Sequence, residues 1–386
     1  MNKDIKMIMI LVAVSFLLGS NEFLVLGISS VLSHDFNVST NQIGLLTTVY
    51  SIVYAAFIVI LVPLTARLHN FKRLLWLITI FAVSNLFTAI STSYVIFAIA
   101  RITSATIVGT INALLIAFAN KIAPKGKENS FLISVFTGIS LSSVLGVPIY
   151  SYLTNITSWR IIFILIATLT MLSLSVLRAN LPRWEGEKNT LIRQQYKVFR
   201  DTNILLGIAV TSMSVAALYS FYTYLEPFLR SELHLQTAGV SVALGAFGTM
   251  SLASNHISGI IQSKYRLSSF PRILIVIIVF LMLGLLAQNH HGIELIVVVF
   301  IGSVLYLVGT PSTIMFMDFA RATHPQSDIM GASLYPVAFN VGIALGSVTG
   351  GAMIQKMQFS GMFLSGISWG TVGLVLSILL IKRQSV

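Results

Sequence analysis

Apolar runs of about twenty residues recur along the whole chain, at 7–30, 42–66, 74–92, 94–119, 129–153, 160–178, 203–226, 237–262, 271–288, 294–317, 329–355 and 361–381. They lack the strict two-residue alternation of half-buried strands. Each is long enough for a helix to cross the roughly 30 Å hydrocarbon layer of a bilayer, which takes about 20 residues. Lipid offers no water to backbone N–H and C=O groups, and a helix satisfies them within its own segment. The pattern therefore predicts an all-α membrane protein of twelve transmembrane helices, with both termini on one side.

The longest polar stretch, 179–202, carries Pro182, Glu185 and Glu187 among several basic residues and falls between the sixth and seventh runs. It predicts an N-terminal six-helix bundle over 1–178, a cytoplasmic linker over 179–202 and a C-terminal six-helix bundle over 203–386. The halves echo each other: GISLSSVLG at Gly138–Gly146 and GIALGSVTG at Gly342–Gly350 agree at six of nine positions, in the fifth and eleventh runs. Two six-helix units related along the membrane normal are a carrier architecture, with the binding site between them near the midplane.

Composition agrees with this picture. Hydrophobic residues make up 56% of the 386 positions and charged residues 9%, against roughly a quarter charged in a soluble domain. The net charge of +12 would suggest nucleic acid as a partner of a soluble protein, but here its placement reports topology. With a cytoplasmic N-terminus, 20 of the 24 Lys and Arg residues fall on the inner side. The outer side keeps Arg160, Arg230 and Lys356, and Arg101 lies inside a run. A bacterial inner or plasma membrane is the expected location, with both termini cytoplasmic. Lys3 and Lys6 lead into a first run that reads past Glu22 with no small-residue cleavage site, so that run is expected to remain in the mature protein. The chain has no cysteine, which excludes disulfide and thiol chemistry.

Glu22 is the first candidate for chemistry, because a carboxyl inside a membrane helix is costly and is expected to face the bundle interior or a wet cavity. Arg101 lies at a similar depth in the fourth run, roughly 11–12 Å below the outer surface at 1.5 Å per residue, so the two can meet. Functionally, Glu22 would bind and release a proton or meet a cationic cargo, with Arg101 tuning it; the plainer reading is a fixed ion pair between helices. Asn21 reads as interhelical glue or a substrate contact, and Asn340 likewise. Glu226 is either part of the site or an interfacial, solvated carboxylate, and Tyr219, Tyr222 and Tyr224 before it form an aromatic wall or an interfacial belt. His256 reads as a bystander or a proton site. Gly138, Gly146 and Pro148, like Gly342 and Gly350, read as conformational residues: glycines admit close backbones, and proline bends a helix. No Walker loop, His-Glu-x-x-His run or selectivity-filter sequence occurs, so neither an enzyme, a cofactor nor a bound metal is expected.

The run GSNEFLVLGISSVLSHDFNVSTNQIGLLTTVYSIVYA, the loop PLTARLHNFKRLL, GISLSSVLGVP with Trp159 and Arg160, and AFNVGIALGSVTGG together resemble the major facilitator superfamily. Within it they are similar to the drug:proton antiporter group, especially its arabinose-type sugar and nucleoside efflux permeases. The resemblance implies proton-coupled efflux of a small molecule by antiport, as in multidrug resistance, with Glu22 at the acidic position of the first helix and Arg101 at the membrane arginine of the fourth. It places Arg67, Lys72 and Arg73 in a cytoplasmic gating loop. The superfamily's loop Asp is replaced here by Ala66, and by Ser263 in the second half. The expected partners are a small-molecule substrate, protons and the lipid bilayer, and not nucleic acid, with the monomer as the working unit. The alternatives are an importer or facilitator of a small metabolite and, from another class, a transport-dead membrane sensor or scaffold.

Overall fold

A computed structural model describes residues 3–65, 68–124, 128–183, 199–288, 290–323 and 328–384. Its elements are helical, with no strand among the described residues. Among the described residues ten stretches are long and apolar enough to cross a membrane. One of them, Thr237–Leu286, holds two helices, Thr237–Tyr265 and Ser269–Leu286, separated by a short 3-10 turn. Glu128–Leu141 and Val147–Ile156, joined by a π-helical turn, form one further pass. Among the described residues the total is the twelve expected, and each predicted run has its helix.

Helix starts follow local polar chemistry. Ser39 opens the second span as a capping box, its hydroxyl accepting from the Gln42 N–H at 3.2 Å while its own N–H donates to Gln42 Oε1 at 2.8 Å. Ser93, Ser158 and Asp201 cap the fourth, sixth and seventh spans through their side-chain oxygens. The outer surface is apolar: Trp76, Leu172, Val242 and Leu286 all stand exposed. Such a surface suits a lipid solvent.

Buried apolar side chains gather in two clusters. One runs from Met7 to Leu181 and takes in Val337; the other runs from Ile204 to Leu380 and takes in Phe23, Leu26 and Val147. The exchanged residues mark where the halves touch.

The glycine repeat has a common structural role. A Cβ on Gly138 would fall on the Val12 carbonyl oxygen and the Ser15 side chain of the first span. A Cβ on Gly342 would fall on Ser212 and Val215 of the seventh, the first span's counterpart. Gly350 packs in the same way on the Ser220 backbone, whereas Gly146 faces the Tyr150 ring of its own span. Overpacking such contacts costs about 1–3 kcal/mol. Gly138→Ala and Gly342→Ala should each lower the temperature at which purified protein loses its monodisperse state, whereas Gly259→Ala, which meets nothing within 4 Å, should not.

Two spans break their helical ladder at mid-length. In the fifth, Ser142–Gly146 is π-helical and Pro148 follows; this turn, as well as the missing proline N–H, interrupts the regular ladder. In the tenth, His291–Ile301 gives way to a 3-10 turn and irregular backbone before Gly309–Thr323 resumes. Serines of the eighth span satisfy the freed groups. Ser254 Oγ accepts from the Tyr306 N–H at 3.0 Å, while Ser258 Oγ donates to the Leu307 carbonyl at 2.8 Å and accepts from the Thr310 N–H at 3.3 Å. Irregular backbone at membrane depth survives only with such partners.

Candidate functional site

A narrow cleft lies between the halves. Glu22, Phe23, Val25 and Leu26 of the first span, Leu46, Thr47, Tyr50 and Ser51 of the second, and Arg101 of the fourth line one side. Tyr219 of the seventh span and Ile343 of the eleventh line the other. In this conformation it has room for little more than a water molecule, so a guest requires the halves to part.

The two predicted charges share this cleft without forming a salt bridge. Glu22 Oε1 and Arg101 Nη1 are both buried and neither has a hydrogen-bond partner. Arg101 lies with its guanidinium over the Tyr50 ring, 4.6 Å from the centroid, and 5.7 Å from that of Phe163. Tyr50 is held in turn: its hydroxyl donates to Asn21 Oδ1 at 3.1 Å. The Asn21 amide donates to Asn85 Oδ1 at 2.7 Å, and Ser104 Oγ also donates to Asn21 Oδ1, at 3.4 Å. One buried amide thus ties the first four spans together, and through Tyr50 it sets where Arg101 stands. Tyr50 carried no separate signal in the run TTVYSIVYAAF, where an aromatic residue reads as core.

The cleft is closed at the end opposite the termini. The first span stops at Gly27, and the short helix Ser29–Phe36 follows. Glu226, at the far end of the seventh span, reaches its N-terminus from the other half. Glu226 Oε2 accepts from Ser29 Oγ at 2.9 Å, Ser30 N–H at 3.1 Å and Ser30 Oγ at 2.7 Å; Oε1 accepts from Arg230 Nε at 2.5 Å. A carboxylate at a helix N-terminus meets free N–H groups and the positive end of the helix dipole. Further contacts join the halves: Thr48 with Ser347 at 2.7 Å, Tyr306 to Ser143 at 2.5 Å and Asn255 to Ser140 at 2.5 Å.

Comparison with known proteins settles the family. The Major Facilitator Superfamily profile matches residues 11–333. The chain belongs to the Major Facilitator Superfamily. It is 28% identical to the uncharacterized MFS-type transporter YfhI of Bacillus subtilis (strain 168), over 97% of this chain and 94% of that one. It is 27% identical to the inner membrane transport protein YdhP of Escherichia coli (strain K12), over 88% and 87% of the two chains. In fold it is similar to a bacterial homolog of the human lysosomal transporter Spinster in an inward-facing, occupied conformation, with a TM-score of 0.74, 13% identity, and coverage of 97% and 96%. The protein is accordingly a transporter rather than an enzyme.

The other candidates of this superfamily chain are distributed as follows. Glu226 is fully buried in the contact between the halves and does not line the cleft. Asn340 is buried too; its amide donates to the Pro336 carbonyl of its own helix at 3.1 Å. Of the three tyrosines, Tyr219 lines the cleft, Tyr222 stacks on Phe247 at 5.2 Å, and the Tyr224 hydroxyl donates to the Ser347 carbonyl at 2.8 Å. His256 is exposed on the periphery. Lys72 and Arg73, expected in the loop after the second span, lie instead in the first turn of the third-span helix Asn70–Ala89; Lys72 is exposed, whereas Arg73 is buried with Nη2 3.4 Å from the Leu61 and Val62 carbonyls. A cation there caps the C-terminal carbonyls of the second span. Ala66 and Arg67 lie outside the described residues, as does most of the 179–202 linker. Ser263, the second-half counterpart of Ala66, donates to the Ile260 carbonyl of its own helix. Trp159 and Arg160 gather around Asp35: the indole donates to Oδ2 at 2.8 Å and Arg160 pairs with it at 3.8 Å.

Proposed function

We propose that this transporter is a proton-coupled antiporter of the drug:proton antiporter group. It exports a small organic molecule from a bacterial cell, with both termini cytoplasmic and residues 1–178 and 203–386 rocking about the cleft as two units. The observation that supports this best is the Glu22 carboxyl, its Oε1 buried without a partner in a cleft between the halves. Buried carboxyls in membrane helices mark ion and proton pathways. In the cycle, ionised Glu22 takes a proton when the cleft opens outward, the neutral form permits closure and inward opening, and cargo displaces the proton from within. The basic loops on the terminal face support the orientation.

Proton release on binding tests this reading. Adding a panel of drugs, sugars, nucleosides and amino acids to weakly buffered, purified protein should release close to one proton per bound molecule for the compounds that bind. Glu22→Gln should release none. Stoichiometric binding with no proton release at any pH between 5 and 8 would remove the coupling.

A further inference from the structure

We infer that the cleft binds a zwitterion, an amino-acid-like molecule whose ammonium meets Glu22, whose carboxylate meets Arg101 and whose apolar or aromatic body lies against Phe23, Leu26 and Tyr219. This rests on the reading of the cleft as the transport site and adds the class of cargo.

Two opposite charges in one buried cleft have an obvious way to lower their energy, which is to pair. Here they do not: Glu22 Oε1 and Arg101 Nη1 each lack a hydrogen-bond partner while lining the same space. An unpaired buried charge costs several kcal/mol, so the arrangement needs a cause and a use. The cause is the buried scaffold behind it. Arg101 is 2% exposed and stacked 4.6 Å over a Tyr50 ring that Asn21 holds in place. Asn21 is itself tied to Asn85 and Ser104. The guanidinium therefore has a fixed seat set apart from Glu22, and the carboxyl leaves the same helix one residue beyond the amide that builds this seat. The use follows from charge balance. A monocation would satisfy Glu22 and be repelled by Arg101, and a monoanion would meet the reverse. A molecule carrying both signs satisfies both, and a planar guanidinium suits a carboxylate through two parallel N–H donors. Phe23, Val25, Leu26, Leu46 and Ile343 supply an apolar part of the remaining lining, beside Thr47, Ser51 and the two tyrosines.

Equilibrium binding tests the inference with matched probes on the full-length chain in lipid nanodiscs at neutral pH, with no gradient. The probes are phenylalanine, phenethylamine and 3-phenylpropionate, together with leucine, isopentylamine and 4-methylpentanoate and the remaining standard amino acids. At least one zwitterion should bind, and both of its single-charge analogues should bind about tenfold to a hundredfold more weakly, the value of a charged hydrogen bond. Arg101→Gln should bring the zwitterion down to the level of its amine, and Arg101→Lys, which keeps the charge but loses the planar fork, should lie between. Equal binding of an amine and its amino acid by the unaltered protein would overturn the inference, as would failure of every amino acid to bind. The ligand series on unaltered protein decides the matter even where an Arg101 variant does not fold. These failures would leave proton coupling standing, because coupling is read from proton release by whatever cargo binds. Loss of coupling, conversely, would leave the charge selectivity of binding intact.

Discussion

Replacing Glu226 by alanine should open the end of the bundle opposite the termini. Its carboxylate is the acceptor for three donors on Ser29 and Ser30 and for Arg230, and it links the first half to the second. Removing one member of a buried charged pair costs about 3–5 kcal/mol, because the partner is left uncompensated. In Glu226→Ala, Arg230 and the helix N-terminus at Ser29–Phe36 would face each other with no anion between them. Separation of the halves lets water reach both, so the open arrangement gains relative to the closed one. The chain has no native cysteine, which makes the measurement clean: a single Ser51→Cys, at a buried position of the cleft lining, reacts with a maleimide only as fast as that end opens. Each 1.4 kcal/mol is a factor of ten in population, so labelling should accelerate by about tenfold or more in Glu226→Ala. Glu232→Ala, an exposed carboxylate six residues on, should leave the rate unchanged. Equal labelling rates with and without Glu226 would show that this contact does not hold the halves closed.

How much of this was legible in the sequence depends on the range of the interaction concerned. Span number and placement follow from solvent physics acting on each twenty-residue window alone, and the helices coincide with the runs. The glycine echo at Gly138 and Gly342 was legible as repetition, but only the structure pairs it with Val12 and Ser212, because a glycine does not announce which backbone it admits. Equal helical depth put Glu22 and Arg101 at one level, and they line one cleft. Their separation was not legible, since it depends on Tyr50 being clamped by an amide network drawn from four spans. Glu226 is similar: within LEPFLRS its surroundings look interfacial, and its donors at Ser29 and Ser30 lie 197 and 196 residues away in the chain. The break in the tenth span left a trace in Gly309 and Pro311, but the serines that make it tolerable, Ser254 and Ser258, belong to another helix.

The second large effect belongs to Glu22→Gln. The substitution keeps size and hydrogen-bonding capacity while fixing the side chain in a neutral form, so the closed structure should fold and rock as before. What it loses is the link between rocking and the proton. One charge moved through 100 mV is worth about 2.3 kcal/mol, which corresponds to about a 50-fold accumulation ratio at 1.4 kcal/mol per tenfold. The variant should equilibrate cargo across the membrane yet fail to concentrate it.

The most direct test is therefore cargo accumulation in proteoliposomes under an imposed pH gradient, with radiolabelled phenylalanine and ethidium as probes. The unaltered protein should drive at least one of them uphill, and Glu22→Gln should bring that probe only to equal concentrations on the two sides. Uphill accumulation by Glu22→Gln equal to that of the unaltered protein would contradict the account.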